Sequence, residues 1–96
     1  MKGDHYCIVL TPKAFNAKFG LAWTCPVTTG AQEAARGLTA VTLMGTGLKI
    51  SGIVLCHQIK ALDWSARKAK TVDRLKGDVL TQILNVCTAI IDPENR

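Results

Sequence analysis

Ser51-Gly52-Ile53-Val54-Leu55-Cys56-His57-Gln58 reads as a buried strand that ends on a histidine. Lys60, Asp63, Trp64 and Arg67 follow within one short turn and a second run. A titratable ring at the edge of a rigid apolar strand is well placed for proton transfer, because the scaffold fixes its position. A lone histidine after a strand is also a common hydrogen-bonded structural group. This segment alone leaves both readings open.

Working outward, the strand is the fourth of a series and spans Lys49 to His57. Tyr6 to Thr11 is short and rich in β-branched and aromatic residues, which marks a first strand. Pro12 ends it, and Lys13 to Lys18 can form a helical turn before Gly20. Leu21 to Val27 is a second strand, whose Pro26 predicts an edge or a bulge because proline cannot donate to a ladder. Trp23, among apolar neighbours in that strand, is expected in the core. Ala31 to Gly37 reads as a polar loop and Leu38 to Met44 as a third strand. Gly45-Thr46-Gly47 is a turn. Lys60 to Trp64 and Ala66 to Val72 are expected to be extended.

The C-terminal segment has a different period. Val79, Leu80, Ile83, Leu84, Val86, Cys87, Ile90 and Ile91 follow an i, i+3, i+4, i+7 pattern, which predicts an amphipathic helix from Asp78 to Ile91. Asp78 suits the positive helix end, and Asp92-Pro93 terminates it. Residues 1–96 thus form a single domain, mainly β with a C-terminal helix, a small barrel or curled sheet capped by that helix.

Composition narrows the function classes. Apolar residues make up 48% of the 96, typical of a globular chain and not of a disordered one. No apolar run approaches the roughly 20 residues that cross a bilayer, and the N-terminus lacks a signal-peptide pattern, so a cytoplasmic protein is expected. Twelve basic against seven acidic side chains give a formal charge of +5, which suits nucleic acid or an acidic protein. Cys7, Cys25, Cys56 and Cys87 include no Cys-x-x-Cys pair, and buried free thiols are expected. A metal site built from His5, Cys7, Cys56 and His57 is disfavoured because strand neighbours point to opposite faces. No metal or cofactor is expected.

Taken in order, these segments resemble the MazF/PemK/Kid family, the toxins of type II toxin–antitoxin systems. The resemblance rests on Cys7-Ile8-Val9-Leu10-Thr11-Pro12, Phe15-Asn16 and Cys25-Pro26-Val27-Thr28-Thr29-Gly30. It continues through Ser51-Gly52-Ile53-Val54-Leu55, Gln58-Ile59-Lys60 and Asp63-Trp64-Ser65-Ala66-Arg67 to the helix. It implies an SH3-like barrel, a homodimer and a sequence-specific endoribonuclease that cuts single-stranded RNA without a metal. It also implies neutralisation by an acidic antitoxin, with DNA reached only through the antitoxin complex. Against the family pattern, the chain is expected to lack the first barrel strand, which would expose the edge of its former neighbour. His5 and Tyr6 stand where many relatives have Arg-Pro, and Leu55 and His57 where some have an Arg-x-Asp pair.

Metal-free RNA cleavage uses the ribose 2′-hydroxyl as an internal nucleophile. One group takes its proton and another protonates the departing 5′-oxygen. Imidazole suits both tasks, because its ordinary pKa of about 6.5 leaves both forms populated near neutrality. His5 and His57 are the expected acid–base pair, with the assignment of base and acid open. The resemblance puts Thr28 at the scissile phosphate, with Thr29 and Ser51 on neighbouring nucleotides. Lys60 and Arg67 are candidate phosphate contacts, though a solvated basic edge explains them equally well. Two alternatives remain: a relative that binds RNA or antitoxin without cutting, and a plain SH3-like interaction module.

Overall fold

The 3.6-residue apolar period at the C-terminus produces helix α2 (Gly77–Ile91), and its innermost stripe is Val79, Ile83 and Cys87, spaced one turn apart. That stripe lies on a curled antiparallel sheet of five strands: β1 (Tyr6–Val9), β2 (Ala22–Thr28), β3 (Ala40–Thr42), β4 (Ile53–Leu55) and β5 (Lys60–Leu62). A short helix α1 (Lys13–Phe19) links β1 to β2. These elements come from a computed structural model, which describes residues 6–29, 37–92 and 94.

The core forms between sheet and helix. Ile8, Cys25, Val41, Leu43, Val54 and Cys56 from the sheet side meet Val79, Ile83 and Cys87, with Leu10, Val27, Ile50 and Leu75 packed around them. Complete burial of a side chain such as Ile83 or Val54 stabilises by about 1.5–3 kcal/mol, so a few such residues decide whether the chain folds. Ile90 and Ile91, in the same apolar pattern, are exposed, so the buried stripe is narrower than the sequence pattern.

Strand β2 is the hub. It pairs with β1 along one edge and with both β4 and β5 along the other. Of the two expectations for Pro26, an edge strand or a bulge, the edge strand is therefore corrected. On the β4/β5 side, the β4 ladder stops at Val27 and the β5 ladder starts at Thr24. Pro26 sits in the interruption between them, where no partner strand requires its missing N–H. β1, β3 and β5 each have one partner, so the described sheet is open.

Other expectations also change. The third and fourth strands are shorter than the apolar runs that predicted them, and His57 lies in a turn beyond β4. Ala66 to Val72 is not a strand. Residues 63–69 fold into turns closed by Arg67 N–H to Asp63 O and Ala69 N–H to Trp64 O, with Lys68 at φ 53°. Trp23 is 46% exposed, because the alternation of β2 buries Ala22 and Thr24 on either side of it. Its ring forms a T-shaped pair with that of Phe15, the centroids 5.9 Å apart.

Asp73 fastens the irregular segment after β5 to the rest of the fold. Its carboxylate accepts from the Lys49 N–H at 2.9 Å and the Arg74 N–H at 2.8 Å. The Lys49 N–H, then the Arg74 N–H, hold its pKa below the ordinary 3.8. A lowered folded-state pKa stabilises the fold above the unfolded value and loses that contribution as pH falls through the folded one. Asp73→Asn is thus expected to be less stable than the wild type at neutral pH, with the gap closing below about pH 4. Urea midpoints across a pH series check this, and a gap that persists unchanged at low pH would remove the linkage.

Candidate active site

His57 is held where the chain leaves β4. The alternation that buries Cys56 turns the next side chain outward, so the ring is exposed. The Cys56 N–H donates to the Thr39 carbonyl at 3.0 Å, which brings Thr39 beside the turn. Thr39 Oγ1 lies 2.8 Å from His57 Nδ1, and the Gln58 amide nitrogen lies 3.4 Å from Nε2. An amide nitrogen donates, so a neutral ring that keeps both contacts accepts at Nε2 and donates from Nδ1 to Thr39. A ring anchored through one nitrogen can present the other to a substrate proton.

Thr28, Thr29 and Ser51 occupy the opposite end of β4. The register pairs Thr28 with Ile53, and Gly52 packs directly on the Thr28 carbonyl. Thr28 is half-buried, while Thr29 and Ser51 are exposed. His57 lies four positions beyond Ile53, the partner of Thr28, so at a rise of about 3.3 Å per residue the chain carries it up to about 13 Å away from that pair. Lys60, exposed at the start of β5, lies at the His57 end. Its carbonyl accepts from the buried Thr24 hydroxyl at 3.0 Å, which fixes the backbone and leaves the ammonium in solvent.

Arg67 sits elsewhere. It lines a groove of about 940 Å³ between β1 and the segment after β5, with Tyr6, Lys68, Lys70 and Arg74. Its lining joins apolar side chains such as Ile8 and Leu43 to these four cations and to Asp73. Trp64 closes one side and donates its indole N–H to the Asn16 carbonyl at 3.3 Å, tying this segment to α1. His5, the other expected imidazole, lies outside the described residues, as does most of the loop at 31–37. Tyr6, which follows His5, pairs with Val27, next to Thr28.

Residues 1–91 match the family described as "PemK-like, MazF-like toxin of type II toxin-antitoxin system". The chain belongs to this family. It is 31% identical over 90 residues to Endoribonuclease PemK of Escherichia coli, covering 94% of this chain and 68% of that protein. Its fold matches the crystal structure of MazF (Form-I) from Deinococcus radiodurans with a TM-score of 0.81 and 32% identity. That match covers 95% of this chain and 79% of the other. The MazE-MazF (Form-I) crystal structure from the same organism gives a TM-score of 0.82 at 32% identity, covering 95% of this chain and 85% of that one.

Within this toxin fold, three residues that sequence reasoning passed over shape the site. Thr39 and Gln58 flank the His57 ring, and Gly52 sets the place of Thr28. Gln58 was visible as a neighbour of the histidine. Thr39 is 18 positions away and becomes a partner only through the β3–β4 register.

Proposed function

We propose that this chain is an endoribonuclease toxin that cuts single-stranded RNA through attack by the ribose 2′-hydroxyl. The reading rests on family membership together with one observation: an exposed imidazole anchored through Nδ1 by Thr39 at 2.8 Å. His57 exchanges the proton at the reacting phosphate, and His5 is its partner in acid–base catalysis. Thr28, expected from the resemblance at the scissile phosphate beside the histidines, stands at the other end of β4 from His57 and is read here as holding the strand there, together with Thr29 and Ser51. A single strand advancing at least about 3.4 Å per nucleotide spans the distance to His57 in at most about four nucleotides. Lys60 and Arg67 supply phosphate contacts, so affinity falls as salt rises.

The chemistry assigned to these residues needs no metal, since the nucleophile is internal and protons move through imidazoles. Incubation with single-stranded RNA in EDTA is expected to give fragments ending in 2′,3′-cyclic phosphate. Cleavage only on addition of a divalent metal would overturn this mechanism. A second reading, binding without cutting, is favoured by Leu55: its apolar side chain offers no cation beside the reacting phosphate. RNA retained intact under the same conditions would select it.

The chain acts in the cytoplasm as a homodimer, and an acidic antitoxin silences it, consistent with a formal charge of +5. No helix among the described residues is long and apolar enough to cross a membrane.

A further inference from the structure

Three thiols from separate elements meet in the centre of the molecule. Cys25 comes from β2, Cys56 from the exit of β4 and Cys87 from α2. They are 0%, 0% and 5% exposed. Their sulfurs all lie within 4.8 Å of one another. Cys25 and Cys87 Sγ are 3.8 Å apart, and each lies 3.9 Å from the Cys56 carbonyl oxygen.

This triangle is close to a coordination geometry. Metal–sulfur bonds of about 2.3 Å place three sulfurs about 4 Å apart in a flat arrangement and about 3.3 Å apart in a right-angled pyramid. The longest edge, at most 4.8 Å, shortens by about 0.8 Å for the flat arrangement and by about 1.5 Å for the pyramid that a centre with a lone pair adopts. Among the described residues no fourth histidine, cysteine or carboxylate joins the group, so the site is three-coordinate.

Charge selects the ligand. Three thiolates around a monovalent or divalent ion leave net negative charge in an apolar core, which is strongly unfavourable without a partner. A trivalent centre leaves none. We propose that Cys25, Cys56 and Cys87 form a three-coordinate site for a trivalent thiophilic metalloid, arsenic(III) being the type ligand. Uncharged arsenious acid, As(OH)3, condenses with three neutral thiols to As(SR)3 and three waters. Three As–O and three S–H bonds break, three As–S and three O–H bonds form, and no electron is transferred. The bound centre ties α2 to β2 and to the exit of β4.

The test adds sodium arsenite to the full chain in a monothiol-free, phosphine-reduced buffer, with one thermal melting and refolding cycle to open the core. Native mass spectrometry is expected to show one arsenic per chain, and the melting temperature should rise, because a ligand of the folded state stabilises it. Cys7→Ser, which removes the exposed cysteine, should keep both effects, and Cys87→Ala should weaken retention at least tenfold. No arsenic on the wild type, equal retention by a folded Cys87→Ala, or a lowered melting temperature would each overturn the site. Should Cys87→Ala fail to fold, the Cys7→Ser chain decides alone: one arsenic with raised melting supports the proposal, and anything else overturns it.

Discussion

His57→Ala is expected to slow cleavage of a single-stranded RNA by about 10²–10⁴-fold, the usual range for loss of a general acid or base. The exposed ring makes no core contact, so the melting temperature should stay close to that of the wild type. That combination separates a catalytic role from a structural one. A histidine that merely closed the turn would move stability and leave the rate within a few-fold. Free imidazole added to the alanine variant should restore part of the rate, because a small base can occupy the space the side chain left. His5→Ala, assayed in parallel, tests the second half of the pair. If His57→Ala cuts within a few-fold of the wild type, proton transfer at this position is ruled out and the binding-only reading gains.

How much of this was readable beforehand follows from the range of the interactions involved. Helix α2 was legible nearly to the residue, because its period is local and Asp92 sits at its end. β1 and the Gly45–Gly47 turn were legible for the same reason. The central place of β2 was not. Pro26 signals an edge in isolation, and only the separate ladders of β4 and β5 show how a hub strand tolerates it. Trp23 misled in a similar way: apolar neighbours along the chain do not reveal which face of a strand is buried. The candidate site divides likewise. The exposure of His57 could be anticipated from its place at a strand's end, whereas Thr39 required the β3–β4 register. The thiol triangle is the extreme case. Cys25 and Cys87 stand 62 positions apart, and no spacing rule for neighbouring cysteines reaches that far.

Gly52→Ala is expected to destabilise the chain by about 3 kcal/mol, near the upper end for a single strained backbone position. Two separate causes act together. At φ 141° the backbone lies where L side chains rarely go, and an added Cβ would stand 2.6 Å from the Thr28 carbonyl oxygen and 2.9 Å from Val27 Cγ1. Neither neighbour can yield cheaply. Val27 and Thr28 are paired to Val54 and Ile53, and the Gly52 carbonyl accepts from the Leu43 N–H at 2.9 Å. Moving any of them loosens the β2–β4–β3 ladder. Gly45→Ala is the natural comparison, because it has φ 79° but open space around the would-be Cβ. It should show backbone strain alone, about 1 kcal/mol. Urea unfolding of both variants therefore separates strain from collision, and equal midpoints would mean that the contact with Thr28 contributes nothing. Where Gly52→Ala remains folded, the displaced Thr28 should weaken RNA binding while leaving the His57 ring in place. The same substitution thus reports whether the two ends of β4 serve one substrate strand.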